Sequence, residues 1–322
     1  MRGALSVAAV ALRPLTDNAA DTVRGIALAV LAYLVLTLGD VVAKSALVAA
    51  GVGGVMLGRG IFGAAAVLTV AAARPGPAGW RRVLPVRRGW VLARAGLAAF
   101  VSVSWYNSWR VMALADTYAV GYIAPLLMTV LAVPLLGERI RWRRALSTSV
   151  GFGGVLLMLR PGGLPWTPML ALLLAGTVGM AVTRIMTRLL SATETPECQA
   201  FWQLAAHGVA GAALLTVLPG VGGVGPAVWL ALAVLGVSSG LAHCVFARAY
   251  ALAPVSALAP YEYTMLLWGG VAGFVVFGEV PGWSTLAGAA VVAAAGLYNW
   301  HRETKNLSRG SGRGQGRVSA RG

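Results

Sequence analysis

Residues 122–142 read YIAPLLMTVLAVPLLGERIRW, and residues 263–283 read YTMLLWGGVAGFVVFGEVPGW. Each stretch opens on a tyrosine (Tyr122, Tyr263), crosses an apolar run, reaches a Gly-Glu pair (Gly137-Glu138, Gly278-Glu279) and ends on a tryptophan (Trp142, Trp283), and each matched pair lies 141 positions apart. Just upstream, Arg110 and Ala113-Leu114-Ala115 match Arg248 and Ala251-Leu252-Ala253 with a shift of three positions. The copies differ in charge. Arg139, Arg141, Arg143 and Arg144 follow the first Gly-Glu pair, whereas the connector after Glu279 has lost every arginine. A repeat unit with an odd number of spans inserts its second copy upside down, and the charge loss is what inversion requires, because basic residues gather in cytoplasmic loops.

Outward from this repeat, the composition says what surrounds it. Apolar residues make up 58% of the 322 positions and charged residues 11%, where a soluble domain carries roughly 25% charged residues. Mean hydropathy is +0.76. A chain this poor in charge cannot cover itself in water, so lipid is its solvent. A spanning helix takes about 20 apolar residues, and the spacing of charge, Pro and Gly predicts about ten helices near 24–46, 53–73, 89–112, 116–136, 142–160, 165–187, 198–218, 226–250, 255–277 and 283–301. The expected fold is an all-α integral membrane protein of ten transmembrane helices in two inverted five-helix repeats. The expected divisions are a cytoplasmic tail over 1–23, a first repeat over 24–162, a second over 163–301, and a disordered basic tail over 302–322, where Arg302, Lys305, Arg309, Arg313, Arg317 and Arg321 stand among Gly and Ser. The apolar run between Met1 and Leu12 is too short to span and lacks a clean cleavage site, so it reads as a mobile tail.

The net charge of +16 on a soluble protein would suggest nucleic acid; here it reads as positive-inside loops, and no nucleic-acid partner is expected. Arg74, Arg81, Arg82, Arg87 and Arg88 follow the second expected helix, and the arginines at 139–144 follow the fourth. With both tails also basic, this places both termini in the cytoplasm and the protein in the cytoplasmic membrane. Cys198 and Cys244 have neither CxxC spacing nor a ligand cluster, so they read as small apolar fillers.

At these motifs the chain resembles the drug/metabolite transporter superfamily, specifically its EamA-type ten-helix members. Ala124-Pro125-Leu126, Leu136-Gly137-Glu138-Arg139 and Gly151 to Arg160-Pro161-Gly162 resemble the end of one EamA repeat; Ala259-Pro260-Tyr261-Glu262-Tyr263-Thr264, Leu267-Trp268 and Phe277-Gly278-Glu279-Val280-Pro281 resemble the same region of the second. The resemblance covers roughly residues 24–300. It implies export or exchange of amino acids, metabolites or drugs by alternating access without ATP, and it names no substrate.

Polar groups in hydrocarbon are expensive, so each asks for a partner or a task. Asp40 and Arg59, on the first two helices, read either as an ion pair or as a site where Asp40 takes up a proton or a substrate amine. Glu262, about two turns into the ninth helix, reads either as a proton-coupling carboxylate or as the partner of Arg248. Glu138 and Glu279, at helix ends, read as interface anchors. Asn107, Tyr122 and Tyr263 lie deep on repeat-related helices and, with Asp40, Glu262 and Trp268, are the expected cavity residues. Such a lining suits a flat, partly apolar solute with a few hydrogen-bonding groups. Trp109, Tyr118 and Trp283 read as interfacial aromatics. His207 and His243 read as packing residues rather than a proton relay. Pro125 and Pro260 interrupt the fourth and ninth helices and fit a gate, or kinks made for packing. Gly54-xxx-Gly58, Gly236-xxx-Gly240 and Gly269-xxx-Gly273 permit close helix approach.

The expected function is therefore secondary transport of a small organic solute, by an exporter or exchanger, with protons as candidate coupling ion, lipid as surroundings and a homodimer as candidate assembly. No cofactor or metal is expected. A membrane-embedded enzyme is the first alternative, but HExxH is absent from the sequence and no pair of aspartates at helical spacing falls within an expected span. A non-transporting sensor or scaffold is the second, and the lack of a soluble domain argues against it. GxxxxGK[ST] is absent as well, so ATP does not drive this chain directly.

Overall fold

The computed structural model describes residues 19–74, 79–111, 117, 120–138, 142–159, 167–217, 224–277 and scattered positions between 283 and 301. Both tails, Tyr118, the Arg139–Arg141 stretch, Gly278-Glu279 and most of the tenth expected span lie outside the described residues. Among those described, regular structure is helical throughout.

The first element, α1 (Ala19–Ala73), holds two expected spans. It is broken at Gly51, where φ is 62° and ψ is 177°, a conformation open in practice to glycine alone. The chain reverses there. Before the break Gly25 lies against Ala249 and Ala253, and Gly39 against Leu235; after it Gly58 lies against Leu232 and Gly63 against Gly236. Contacts with the 226–252 helix thus fall in number along the first arm and rise along the second, so α1 is an antiparallel hairpin.

After a 3-10 turn at Gly79–Val83 come α2 (Arg88–Val111), α3 (Ala124–Leu136), α4 (Trp142–Leu159), α5 (Pro168–Leu190), α6 (Pro196–Val217) and α7 (Pro226–Leu252). The ninth span was expected as one helix over 255–277. It consists of a short α8 (Val255–Leu258), a 3-10 turn (Ala259–Tyr263) and α9 (Thr264–Phe277). Pro260 has no N–H for an α-helical bond, and the tighter turn absorbs the defect.

Helix directions follow from the contacts. Arg94 of α2 meets Thr187 of α5, and Ser104 meets Leu172, so these two are antiparallel. Arg94 also meets Gln203 of α6, and Ser102 meets His207, so α2 and α6 are parallel. Gly53 lies on Gly211 and Gly60 on Gly208, so α6 runs against the second arm of α1. The first arm therefore opposes α5, the second arm opposes α6, and α2 opposes α7. These are the pairs aligned by the sequence repeat, so the two copies are inverted in space.

Packing without a hydrophobic drive between helices relies on close approach of small residues. Gly60 and Gly208 meet backbone to backbone, and Gly240 rests on the Gly63 carbonyl. Val48, Ile61, Val209, Leu230 and Val275 point outward, as side chains facing lipid do. Four described helices are long and apolar enough to cross a membrane, the α1 hairpin among them.

At the arginine-rich end the chain is tied down. Glu194 accepts hydrogen bonds from the Val86 and Arg87 amides, and Arg74 and Arg82 pair with the buried Glu197. Glu138 serves a similar purpose elsewhere: its two carboxylate oxygens accept from the Val255 and Ser256 amides, at 2.8 and 3.0 Å. That satisfies the N-terminal donors of α8, which have no partner within the helix.

Candidate functional site

A cavity of about 110 Å³ lies inside the bundle. The first arm of α1 contributes Leu36 and Asp40, the second arm Arg59, and α2 contributes Ala98, Val101, Ser102, Trp105, Tyr106 and Trp109. Gly121 and Tyr122 come from just before α3, Met180, Thr183 and Arg184 from α5, His243 from α7, and Glu262 and Met265 from the interrupted ninth span. Both repeats thus build it. Along α1 and α2 the lining residues other than Ala98 fall in the halves away from the Arg74–Arg88 loop, while Met180, Thr183, Arg184 and His243 fall in the nearer halves of α5 and α7, so the cavity occupies mid-bundle and reaches further toward the opposite end.

One charged pair sits at its wall. Arg184 Nε donates to Glu262 Oε1 at 2.9 Å, and the hydroxyls of Tyr33 and Tyr250 donate to the same oxygen. The Arg184 guanidinium also rests on the Phe246 ring, 4.4 Å from its centroid, a cation–π contact. This corrects the expected Glu262–Arg248 pair. Arg248 is exposed, while Tyr250, on another face of α7, is buried beside Glu262.

Arg59 and Asp40 both line the cavity. Arg59 donates to the Tyr106 hydroxyl from Nη1 and approaches His243 through Nη2 at 3.4 Å. Gln203 bridges His243 to Arg94, and Arg94 also binds Thr187 and the Gln199 carbonyl. A polar chain thus crosses from the second arm of α1 through α7 and α6 to α2, and it engages most of the polar atoms that the bundle buries there.

The other expected residues are placed around this site rather than in it. Tyr263 is buried behind the cavity; its hydroxyl donates to the Thr148 carbonyl, and its ring faces Tyr122. Asn107 turns back onto its own helix, donating to the Val103 carbonyl. Trp268 is half-buried on α9. Pro125 occupies the first turn of α3, where a missing N–H is harmless. Pro260 lies in the 3-10 turn next to Glu262. Sequence reasoning passed over Arg184, Arg188, Arg94, Tyr33 and Tyr250. The signal was available for the arginines: Arg94 and Arg184 fall inside expected spans, and a charge in hydrocarbon calls for an account wherever it occurs. Among the described residues no cluster of three or more His, Cys, Asp or Glu is arranged to hold a metal ion.

An inverted helical repeat around an interior cavity of charged and aromatic side chains defines a multi-pass membrane transporter. Residues 23–160 and 167–298 each match the EamA-like transporter family, and the chain belongs to that family; it is a small-solute transporter and not an enzyme. It is similar to an S-adenosylmethionine uptake transporter of Rickettsia prowazekii, 26% identical over 237 residues, covering 71% of this chain and 77% of that protein. It is also similar to a riboflavin transporter of Vibrio cholerae, 28% identical over 229 residues, covering 69% and 74% of the two chains. A solved crystal structure superposes with a TM-score of 0.71 at 21% identity, covering 90% of this chain and 98% of the other. At that identity the likeness speaks to the fold alone.

Proposed function

We propose that the protein is a secondary carrier of the cytoplasmic membrane, with both termini in the cytoplasm, that exchanges or exports a small organic solute by alternating access. The observation that carries this reading is the cavity, in which Asp40, Glu262, Arg59 and Arg184 stand among Trp105, Tyr106, Trp109 and Tyr122. Aromatic walls take a flat ring, and charged side chains take a polar tail. A flat heteroaromatic head with a polar tail is what S-adenosylmethionine and riboflavin, named for the relatives, have in common. Inverted repeats support alternation, since the two copies can exchange conformations around a site between them.

The test is counterflow in proteoliposomes without ATP. Vesicles loaded with unlabelled S-adenosylmethionine or riboflavin should take up the labelled compound transiently, saturably and faster than unloaded vesicles. Flux that is linear in concentration, or that needs ATP, would overturn the carrier reading.

A further inference from the structure

Four arginines sit inside the bundle, and three are committed to the protein. Arg94 engages all three of its nitrogens, on Thr187, Gln199 and Gln203. Arg59 directs its two terminal nitrogens at Tyr106 and His243, and its Nε is fully buried, out of a ligand's reach. Arg188 donates from Nη1 to the Tyr250 and Ala251 carbonyls at the end of α7. Arg184 is different. Among the described residues its single hydrogen bond runs from Nε to Glu262, and Nη1 and Nη2 make none, although the side chain is only 13% exposed and lines the cavity.

A guanidinium has five N–H donors and no acceptor. The four on Nη1 and Nη2 are not sealed in the bundle as Arg59 Nε is; they open into the cavity, where water or a ligand oxygen can take them up. Arg184 is also fixed in place, with Nε held by Glu262 and one face held by Phe246. Nη1 and Nη2 are thereby left as a pre-oriented pair of donors, a geometry that matches the two oxygens of a carboxylate. Charge balance points the same way. The cavity holds two arginines and two carboxylates, so a substrate carboxylate is accommodated when the substrate brings its own cation, as a zwitterion does.

We propose that Arg184 is the specificity-determining residue for a substrate carboxylate, received by Nη1 and Nη2, so that the transported solute is an aromatic-headed amino-carboxylate rather than a neutral or purely cationic aromatic. The proposal rests on the carrier reading and narrows it. Its probes are pairs differing only in that group: S-adenosylmethionine against its decarboxylated form, and tryptophan against tryptamine.

In counterflow, the wild type should favour the carboxylate member of a pair by roughly tenfold or more, the discrimination expected of a charged hydrogen bond. Arg184→Gln should bring that member down to the level of its partner, and Arg184→Lys, a point charge without the fork, should restore part of the preference. If both members move equally in the wild type, or Arg184→Gln keeps the preference, the carboxylate site is wrong while the carrier reading stands. Wild-type protein that is folded by thermal melt but moves no member of either pair overturns the proposal; the riboflavin counterflow arm then decides whether the carrier reading falls with it. Should Arg184→Gln fail to accumulate, the wild-type preference and Arg184→Lys still decide the matter.

Discussion

Tyr122 and Tyr263, matched by the sequence repeat, face each other with ring centroids 5.8 Å apart. Two residues equivalent under an inverted repeat can touch only near the axis that relates the copies. The pair therefore marks the centre of the bundle, and Tyr122 belongs to the cavity wall. Its substitution by Ala should reduce transport several-fold with membrane levels near normal. Tyr263 needs a gentler change, because its ring packs against Gly151 in the buried layer behind the cavity. Truncating a buried aromatic costs about 3–5 kcal/mol, so Tyr263→Ala should lower the melting temperature, and Tyr263→Phe should fold and isolate the hydroxyl bonded to Thr148. Full transport by Tyr122→Ala would remove this pair from the mechanism.

Gly60 sets the crossing of α1 over α6. A β-carbon there would come within 2.3 Å of the Gly208 amide nitrogen, and backbone cannot step aside as a flexible side chain can. Gly60→Ala should destabilise by about 1–3 kcal/mol, the usual range for overpacking. Gly153→Ala is the control, since a β-carbon there meets nothing within 4 Å. Melting of the two variants in detergent checks this, and equal melting temperatures would contradict the close crossing.

Glu138 caps α8 with both oxygens, and two charge-assisted bonds go with its removal. Glu138→Ala should cost about 2 kcal/mol or more, whereas Glu138→Gln retains one acceptor and should cost less. Ranking the three proteins by thermal melt in one detergent gives the answer; an alanine variant as stable as wild type would show that the cap is idle.

Much of this architecture was readable in advance because spanning helices announce themselves through apolar length and punctuation. The expected 226–250 and 89–112 spans lie within two residues of α7 and α2 at each end. The reversal between 46 and 53 was expected, and the structure places it at Gly51. The interruption at Pro260 was suspected, but its form was not, because whether a proline kinks a helix or tightens it into a 3-10 turn depends on packing. The site was harder. Glu262 was read either as a proton-coupling carboxylate or as the partner of Arg248, fourteen positions away, and the ion pair it forms is with Arg184, 78 positions away. Sequence distance does not report which face of α7 turns inward: Arg248 points out while Tyr250 points in. Asn107 was placed in the cavity by its depth and its repeat-related helix, yet a short amide can satisfy itself on its own helix.

Glu194 offers the last test, at the arginine-rich end. Its carboxylate accepts the Val86 and Arg87 amides at 3.0 and 2.7 Å, Thr195 binds the Arg82 carbonyl, and the Trp202 indole binds the Val83 carbonyl. This end is thereby laced shut across the two repeats, while the cavity extends toward the other end. A carrier that alternates must undo such a closure in each cycle. Glu194→Ala should expose the Val86 and Arg87 amides, and their hydrogen exchange should accelerate by about tenfold or more, since a lost charge-assisted bond is worth about 1.5–3 kcal/mol. Amides on the far side of the bundle, such as those near Gly51, should keep their rates. If Val86 and Arg87 exchange unchanged in the variant, Glu194 does not hold this end closed, and the ion pairs of Glu197 with Arg74 and Arg82 become the closure to remove next.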